Sequence, residues 1–264
     1  MQVKVDGAPV YIENGDSYYA RVDETTTMEV PKSNNNVIST TPKAVRPYKF
    51  NKWHIVMFED TKDGDFDYND IVMHVCMRKY NNGNSYLYVH PIALGSSKKI
   101  GFGIKVNGKD VFYTSDCRSD FFHSIKGFIN TVKNGLRVKF DEYKTVKLDD
   151  DIMKSTIEYY IVVDGKTVLP AISKNQKTRY YGLIVTNLGQ SFKYKGVAVG
   201  ADWFDYPSEH VSINSAYPDF MQTNGNFDSF LKNMNSKYCY DAIRLNDNGE
   251  IADDCLYLLG TITE

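Results

Sequence analysis

Gly103-Ile104-Lys105-Val106-Asn107-Gly108-Lys109-Asp110-Val111-Phe112-Tyr113 decides the fold class of this chain. Two runs rich in β-branched and aromatic residues flank an Asn-Gly pair, whose positive φ values suit a two-residue hairpin turn of type I′. The pattern returns at 158–169, where Asp164-Gly165 separates EYYIVV from KTVL. Asp6-Gly7, Asn14-Gly15, Asn134-Gly135 and Asn248-Gly249 supply further turn signals. Outward from these hairpins, residues 53–58, 71–77, 86–92, 182–186, 195–199 and 255–261 read as additional short strands. Short strands with turns between them predict an all-β protein, a jelly-roll-like antiparallel β-sandwich. Helix is scarce: residues 121–131 behind Asp120 as N-cap, and residues 229–235, are the candidates for one or two short helices.

Composition agrees. Of 264 residues, 20 are Tyr and 14 Phe, side chains that suit a pleated, half-buried surface, and the 21 Asn supply turns. Lys and Arg number 31 against 33 Asp and Glu, a formal charge of −2, which argues against nucleic acid as the main partner. No apolar run approaches the roughly 20 residues of a membrane span. Residues 1–20 lack a basic stretch followed by an apolar one, so no export signal is legible there. Residues 31–47 hold three prolines and Asn34–Asn36 and read as a linker. They separate a hairpin-patterned segment, 1–30, from a domain over 48–264; the small segment either docks on that domain or grips a partner. Cys76, Cys117, Cys239 and Cys255 have neither disulfide-scaffold density nor zinc-site spacing; a Cys239–Cys255 bridge and four free thiols both fit.

The sharpest feature lies between two of the strands. Glu59, Asp60, Asp63, Asp65, Asp67 and Asp70 place six carboxylates in twelve residues, with Asn69 among them. Two carboxylates about 7 Å apart repel by roughly 1–2 kcal/mol at intermediate dielectric, so several converging groups need compensation. A Ca²⁺ ion, which takes six to eight hard oxygens, would convert repulsion into coordination. In an extended chain Asp63, Asp65, Asp67 and Asn69 would turn to one side and Phe66 and Tyr68 to the other. The spacing is not that of an EF-hand, because Tyr68 and His74 stand where a Gly and a Glu are required. The alternative is a solvated acidic turn whose Asp side chains cap main-chain amides.

Phe58-Glu59-Asp60, a short spacer and Gly64-Asp65-Phe66-Asp67-Tyr68-Asn69-Asp70-Ile71-Val72 resemble the signature of the LruC-domain family, FED…GDxDFND-V. Ile100-Gly101-Phe102-Gly103-Ile104 is similar to the family's GFGI strand, and Ile213–Phe220 to its I-x-x-AYP-x-F segment. The likeness spans roughly 50–262. It implies an all-β, cation-binding surface domain without established enzymatic activity, of the kind carried by exported lipoproteins of Bacteroidetes-type bacteria. The chain departs from the pattern at Thr61-Lys62-Asp63, where the family has Trp-Pro, and at 224–235, an Asn-rich stretch in place of tryptophan-bearing segments.

Catalytic signatures are absent: no G-x-S-x-G, no H-E-x-x-H and no phosphate-cradling G-x-x-x-x-G-K-[ST] occurs. A pair such as Glu59 and Asp67 imitates a glycosidase dyad, but six crowded acids suit a cation better than an acid and a base kept apart. Trp203, Tyr206 and Tyr217 are the candidates for stacking on a sugar; core packing is the alternative for each. The sequence thus predicts a non-enzymatic, Ca²⁺-binding domain of the bacterial cell surface that recognises a glycan or a surface protein. The alternative is a virion component of a bacteriophage, a head-fibre, decoration or adhesin subunit, with homo-oligomer or virion assembly as its partnership. A glycoside hydrolase ranks behind both.

Overall fold

A computed structural model describes residues 2–5, 8–11, 28–29, 48–62, 64–135, 137–140, 142–169, 182–186, 190–195, 197–201, 203–220, 233–253 and 255. The chain forms two compact units, Met1–Lys49 and Phe50–Glu264. In the first, β1 (Gln2–Val5) pairs with β2 (Ala8–Tyr11) and with β3 (Met28–Glu29), both antiparallel. The hairpin expected near the start of the chain is therefore present. The linker at 31–47 lies outside the described residues.

The second unit is an all-β sandwich of two antiparallel sheets. Its strands are β4 (Tyr48–Phe58), β5 (Ile71–Tyr80), β6 (Ser85–Ala93), β7 (Ile100–Val106), β8 (Lys109–Thr114), β9 (Lys144–Leu148), β10 (Ile157–Val163), β11 (Lys166–Val168) and β12 (Gly182–Thr186). One sheet has the order β12-β4-β5-β6-β9, the other β11-β10-β7-β8. A separate hairpin joins β13 (Gln190–Tyr194) to β14 (Val197–Ala201) around Lys195, whose φ is 46°; the single strand expected at 195–199 is thus a turn and the start of a second strand. Both quoted hairpins fold as their turn dipeptides require, with φ of 51° and 79° at Asn107 and Gly108 and of 51° and 72° at Asp164 and Gly165. Of the strand expected at 255–261, only Cys255 is among the described residues.

Strand periodicity divides the apolar side chains between two cores. Ile71, Met73, Val75 and Met77 of β5 face Ile100, Phe102, Ile104 and Val106 of β7 and close the space between the sheets. Ile55, Met57 and Val72 point the other way, where the chain beyond residue 203 lays Trp203, Phe204, Tyr206, Ile213 and Tyr217 on the outer face of the five-stranded sheet. The sandwich thereby acquires a third, irregular layer. Glycine serves the opposite outer face: a Cβ on Gly103 would collide with the ring of Tyr160, its partner across β10.

Among the described residues, α-helix is confined to α1 (Cys117–Asp120) and α2 (Ile213–Ala216), four residues each. The expected helix over 121–131 is not formed. Asp116, not Asp120, caps α1 by accepting from Ser119 N at 3.3 Å, and the chain leaves the helix at Phe121. Phe121 and Phe122 are both buried in the inter-sheet core, and positive φ values at His123 and Ser124 turn the chain away. Burial of adjacent aromatics, which a helical face would separate, overrides the local capping signal. The region 229–235 falls outside the described residues up to 232. All four cysteines are buried thiols outside any disulfide, so no Cys239–Cys255 bridge is formed.

Candidate metal centre

Between Phe58 at the end of β4 and Ile71 at the start of β5, the chain must reverse direction while carrying its acids. It does so by coiling, not by extending. Phe66 and Tyr68 adopt left-handed φ values of 68° and 55°, a conformation that costs a non-glycine residue about 1–2 kcal/mol. Both rings are buried in the outer core, 6.0 Å apart and edge to face, with Phe220 6.1 Å from Tyr68. Their burial offsets the backbone cost. The rings enter the core, but the extended backbone assumed for the alternation is replaced by a coil, and Asp67 and Asn69 are buried as well.

Three buried residues anchor the inner side. Glu59, Asp67 and Asn69 are 0%, 1% and 0% exposed. Glu59 Oε1 accepts from Tyr68 N at 2.6 Å. Asp67 Oδ1 accepts from Asn69 N at 3.1 Å, and its Oδ2 from His210 N at 2.8 Å. Asn69 Nδ2 donates to Pro207 O at 3.0 Å, which fixes the amide so that Oδ1 points away from that carbonyl. After these bonds, Glu59 Oε2 and Asn69 Oδ1 have no donor in hydrogen-bond geometry, although the Phe66 N–H lies near enough to the Glu59 carboxylate to favour its charge. Glu209 Oε2, on a carboxylate whose side chain is 8% exposed, also has none; Thr131 Oγ1 lies near enough to favour its charge but outside hydrogen-bond geometry. A buried acceptor left unpaired costs about 1–3 kcal/mol, more when charged.

The candidate ligand atoms fall into two groups that share Asp65. Ligand atoms of Glu59, Asp65 and Asp67 lie within 4.8 Å of one another, and so do those of Asp65, Glu209 and His210. A Cβ on Gly95 would overlap Asn69 Oδ1 and come within 2.8 Å of Glu209 Oε2, so these two oxygens approach each other beside Gly95, where only a glycine fits. On the rim, His210 Nδ1 and Asp65 Oδ2 are 2.7 Å apart, and this contact raises the imidazole pKa.

Electrostatics report the same crowding. Burial pushes Glu59 up to about 8; the Tyr68 N–H opposes this and the Asp70 and Asp65 charges add to it. Burial, then Asp65, pushes Asp67 up to about 9, and burial takes Asp70 to about 7. Glu209 is raised mainly by burial. Without a cation the cluster holds protons at neutral pH; a divalent ion would take their place.

The seven loop residues expected as ligands separate into three sets. Glu59, Asp65 and Asp67 come together, and Asn69 Oδ1 lies with Glu209 Oε2 beside Gly95. Asp60 and Asp70 do not join them: Asp70 Oδ2 accepts from Asp60 N at 2.6 Å, and the Asp60 carboxylate pairs with Lys98 at 2.9 Å and accepts from the Ser96 and Thr61 hydroxyls. Burial opposes the Asp60 charge, but these donors together hold its pKa below the ordinary value. Asp63 lies outside the described residues. Glu209 and His210 were missed by the sequence reading because they arrive from some 140 residues away, with no local pattern to mark them.

Trp203, Tyr206 and Tyr217, expected as sugar contacts, are 0%, 0% and 1% exposed. Their polar atoms are satisfied internally: Trp203 Nε1 donates to Asp205 Oδ1, Tyr206 Oη to Asn130 O and Tyr217 Oη to Asp205 O. Tyr217 stacks on Phe204 and Tyr206 on Tyr240. These rings are core, and no sugar reaches them. Among the described residues no helix is long and apolar enough to cross a membrane. Comparison with family models, curated proteins and solved structures finds no match.

Proposed function

We propose that the second unit is a non-enzymatic recognition domain of bacterial cell-surface type, organised by a Ca²⁺ ion bound between the β4–β5 loop and Glu209. The observation that carries the reading is the set of oxygens without a donor in hydrogen-bond geometry, Glu59 Oε2, Asn69 Oδ1 and Glu209 Oε2, on side chains almost wholly shut off from water. Asp65 and Asp67 complete the set. The ligands are carboxylate and amide oxygens from an irregular coil, which suits the adaptable coordination of Ca²⁺ better than the strict octahedron of Mg²⁺. His210 on the rim is the only nitrogen ligand among the converging groups, so a Zn²⁺ site has little support.

Burial also favours recognition over turnover. A glycosidase pair must flank a sugar ring, and Glu59 and Asp67 leave no surface for one. The resemblance to LruC domains supports a place outside the cell. Titrating Ca²⁺ into chelator-treated protein by calorimetry tests the reading: one site is expected in the wild type, and none in Glu59→Gln/Asp67→Asn. Absence of binding in the wild type, with a melting temperature indifferent to Ca²⁺, overturns it.

A further inference from the structure

On the outer face of the five-stranded sheet the third layer packs against Ile55, Met57, Val72, Ile92 and Ala93 and reaches His74, whose ring lies 5.7 Å from that of Trp203. Toward the β5–β6 turn, the outward positions carry aromatic rings where a solvated sheet face ordinarily has polar residues. Tyr86 and Tyr88 reach solvent, alternating with buried Ser85, Leu87 and Val89. With Tyr80 from β5 and Tyr143, just before β9, they form one row. Ring centroids are 5.5, 6.2 and 6.4 Å apart from Tyr80 through Tyr86 and Tyr88 to Tyr143. Tyr86 and Tyr88 are inclined by 33° to each other, and the end rings stand at 88° to their neighbours.

The row is held in place. The Tyr80 and Tyr88 hydroxyls share a hydrogen bond of 2.7 Å. The Arg78 guanidinium lies 5.2 Å from the Tyr88 centroid while its Nε donates to Asn51 Oδ1 at 2.9 Å. Rings fixed in this way lose little freedom on binding. The register sets Lys147, which is exposed, opposite Tyr86 and Thr145 opposite Tyr88. Lys147 is the exposed cation of this face and Arg78, 7% exposed, lies buried beneath the rings; no strand position of β5, β6 or β9 that shares the face is acidic, and the exposed acids Glu142, Asp149 and Asp150 lie beyond the two ends of β9.

We propose that the tyrosine row binds an acidic polysaccharide, a chain whose sugars carry carboxylate or sulfate. The rings take the C–H faces of successive sugars by dispersion contact, and Lys147, with the field of Arg78, takes the anionic groups. The proposal rests on the recognition role given above and adds to it a surface and a ligand class.

Affinity electrophoresis of the full chain through hyaluronan (carboxylate), dextran sulfate (sulfate) and uncharged dextran tests it, with Ca²⁺ and with chelator. Because the net charge is −2, retention by a polyanion reports a local surface. Retention by at least one charged polymer and not by dextran is expected. Tyr86→Ala/Tyr88→Ala should weaken it at least tenfold, Lys147→Gln about threefold with a flatter salt dependence, and Tyr113→Ala, on the other sheet, not at all. Lys147 is exposed, so its variant remains informative where the double variant loses its fold. Passage unretarded through both charged polymers, equal retention by dextran, or unaltered retention of both row variants overturns the proposal. A calcium-responsive protein that ignores all three polymers loses the tyrosine row alone; retention that persists in a protein indifferent to Ca²⁺ upholds the row and removes the metal reading.

Discussion

Removing the cation should reverse the way stability depends on pH. A carboxyl whose pKa rises on folding is most stabilising below its unfolded value, and its contribution drains as pH climbs through the folded one. For Glu59 those limits are 4.5 and about 8, and for Asp67 they are 3.8 and about 9. Between pH 5 and 8 these two groups therefore hold up to two more protons in the cation-free native chain than in the unfolded chain, and Asp70, raised to about 7, adds to them below that pH. Each contributes a slope of roughly −1.4 kcal/mol per pH unit. Ca²⁺ must displace those protons, so its affinity rises with pH. At one hundred times its Kd it adds about 2.7 kcal/mol, or about 5–10 °C in Tm for a domain of this size. Melting curves at pH 5.5, 6.5, 7.5 and 8, in chelator and in millimolar Ca²⁺, read both effects. In chelator Tm should fall as pH rises, and the increment from Ca²⁺ should widen. Parallel curves, or a chelator curve that rises with pH, would refute the assignment of Glu59 and Asp67 to one cation.

Other substitutions probe separate parts of the molecule. Gly95→Ala puts a methyl group against Asn69 Oδ1 and Glu209 Oε2; overpacking should cost about 1–3 kcal/mol in denaturant melts and abolish the increment from Ca²⁺. Burial, then Lys52, lowers the His54 pKa from 6.5 to about 3. The native state thus binds fewer protons, its full stability is present above pH 6.5, and about 2 kcal/mol is lost by pH 5. With Ca²⁺ saturating, His54→Gln should flatten that acid limb, as followed by urea midpoints. Trp203→Ala should destabilise by about 3–5 kcal/mol, measured by chemical denaturation, since its ring is core; a stable variant with altered sugar binding would return Trp203 to the surface.

The sandwich was legible because its signals are local. Asn107-Gly108 and Asp164-Gly165 fix two hairpins through their own backbone preferences, and period-two alternation sets the faces of β5 and β6. The acidic loop was legible as a dense cluster, and its division was not. Lys98 and Ser96 draw Asp60 out of the cluster, and Glu209 enters it, all through tertiary contacts that leave no trace in the spacing. Trp203, Tyr206 and Tyr217 misled for a related reason: an aromatic in a β protein has the same composition signal in a third layer as on an open face. Residues 121–131 show propensity losing to packing, since Phe121 and Phe122 both gain more from the inter-sheet core than a helix could return.

Asp67 and the His210 amide that it binds are separated by 143 residues. Almost all of both sheets lies between them, so the ring of oxygens cannot close until the chain has traced the sandwich and returned along its outer face. Contacts of such long range form late in folding. A cation held there acts after the rate-limiting step: it leaves the speed of folding nearly unchanged and slows unfolding. Under the proposed reading such an ion would be a latch on the finished structure, fastened last and released first.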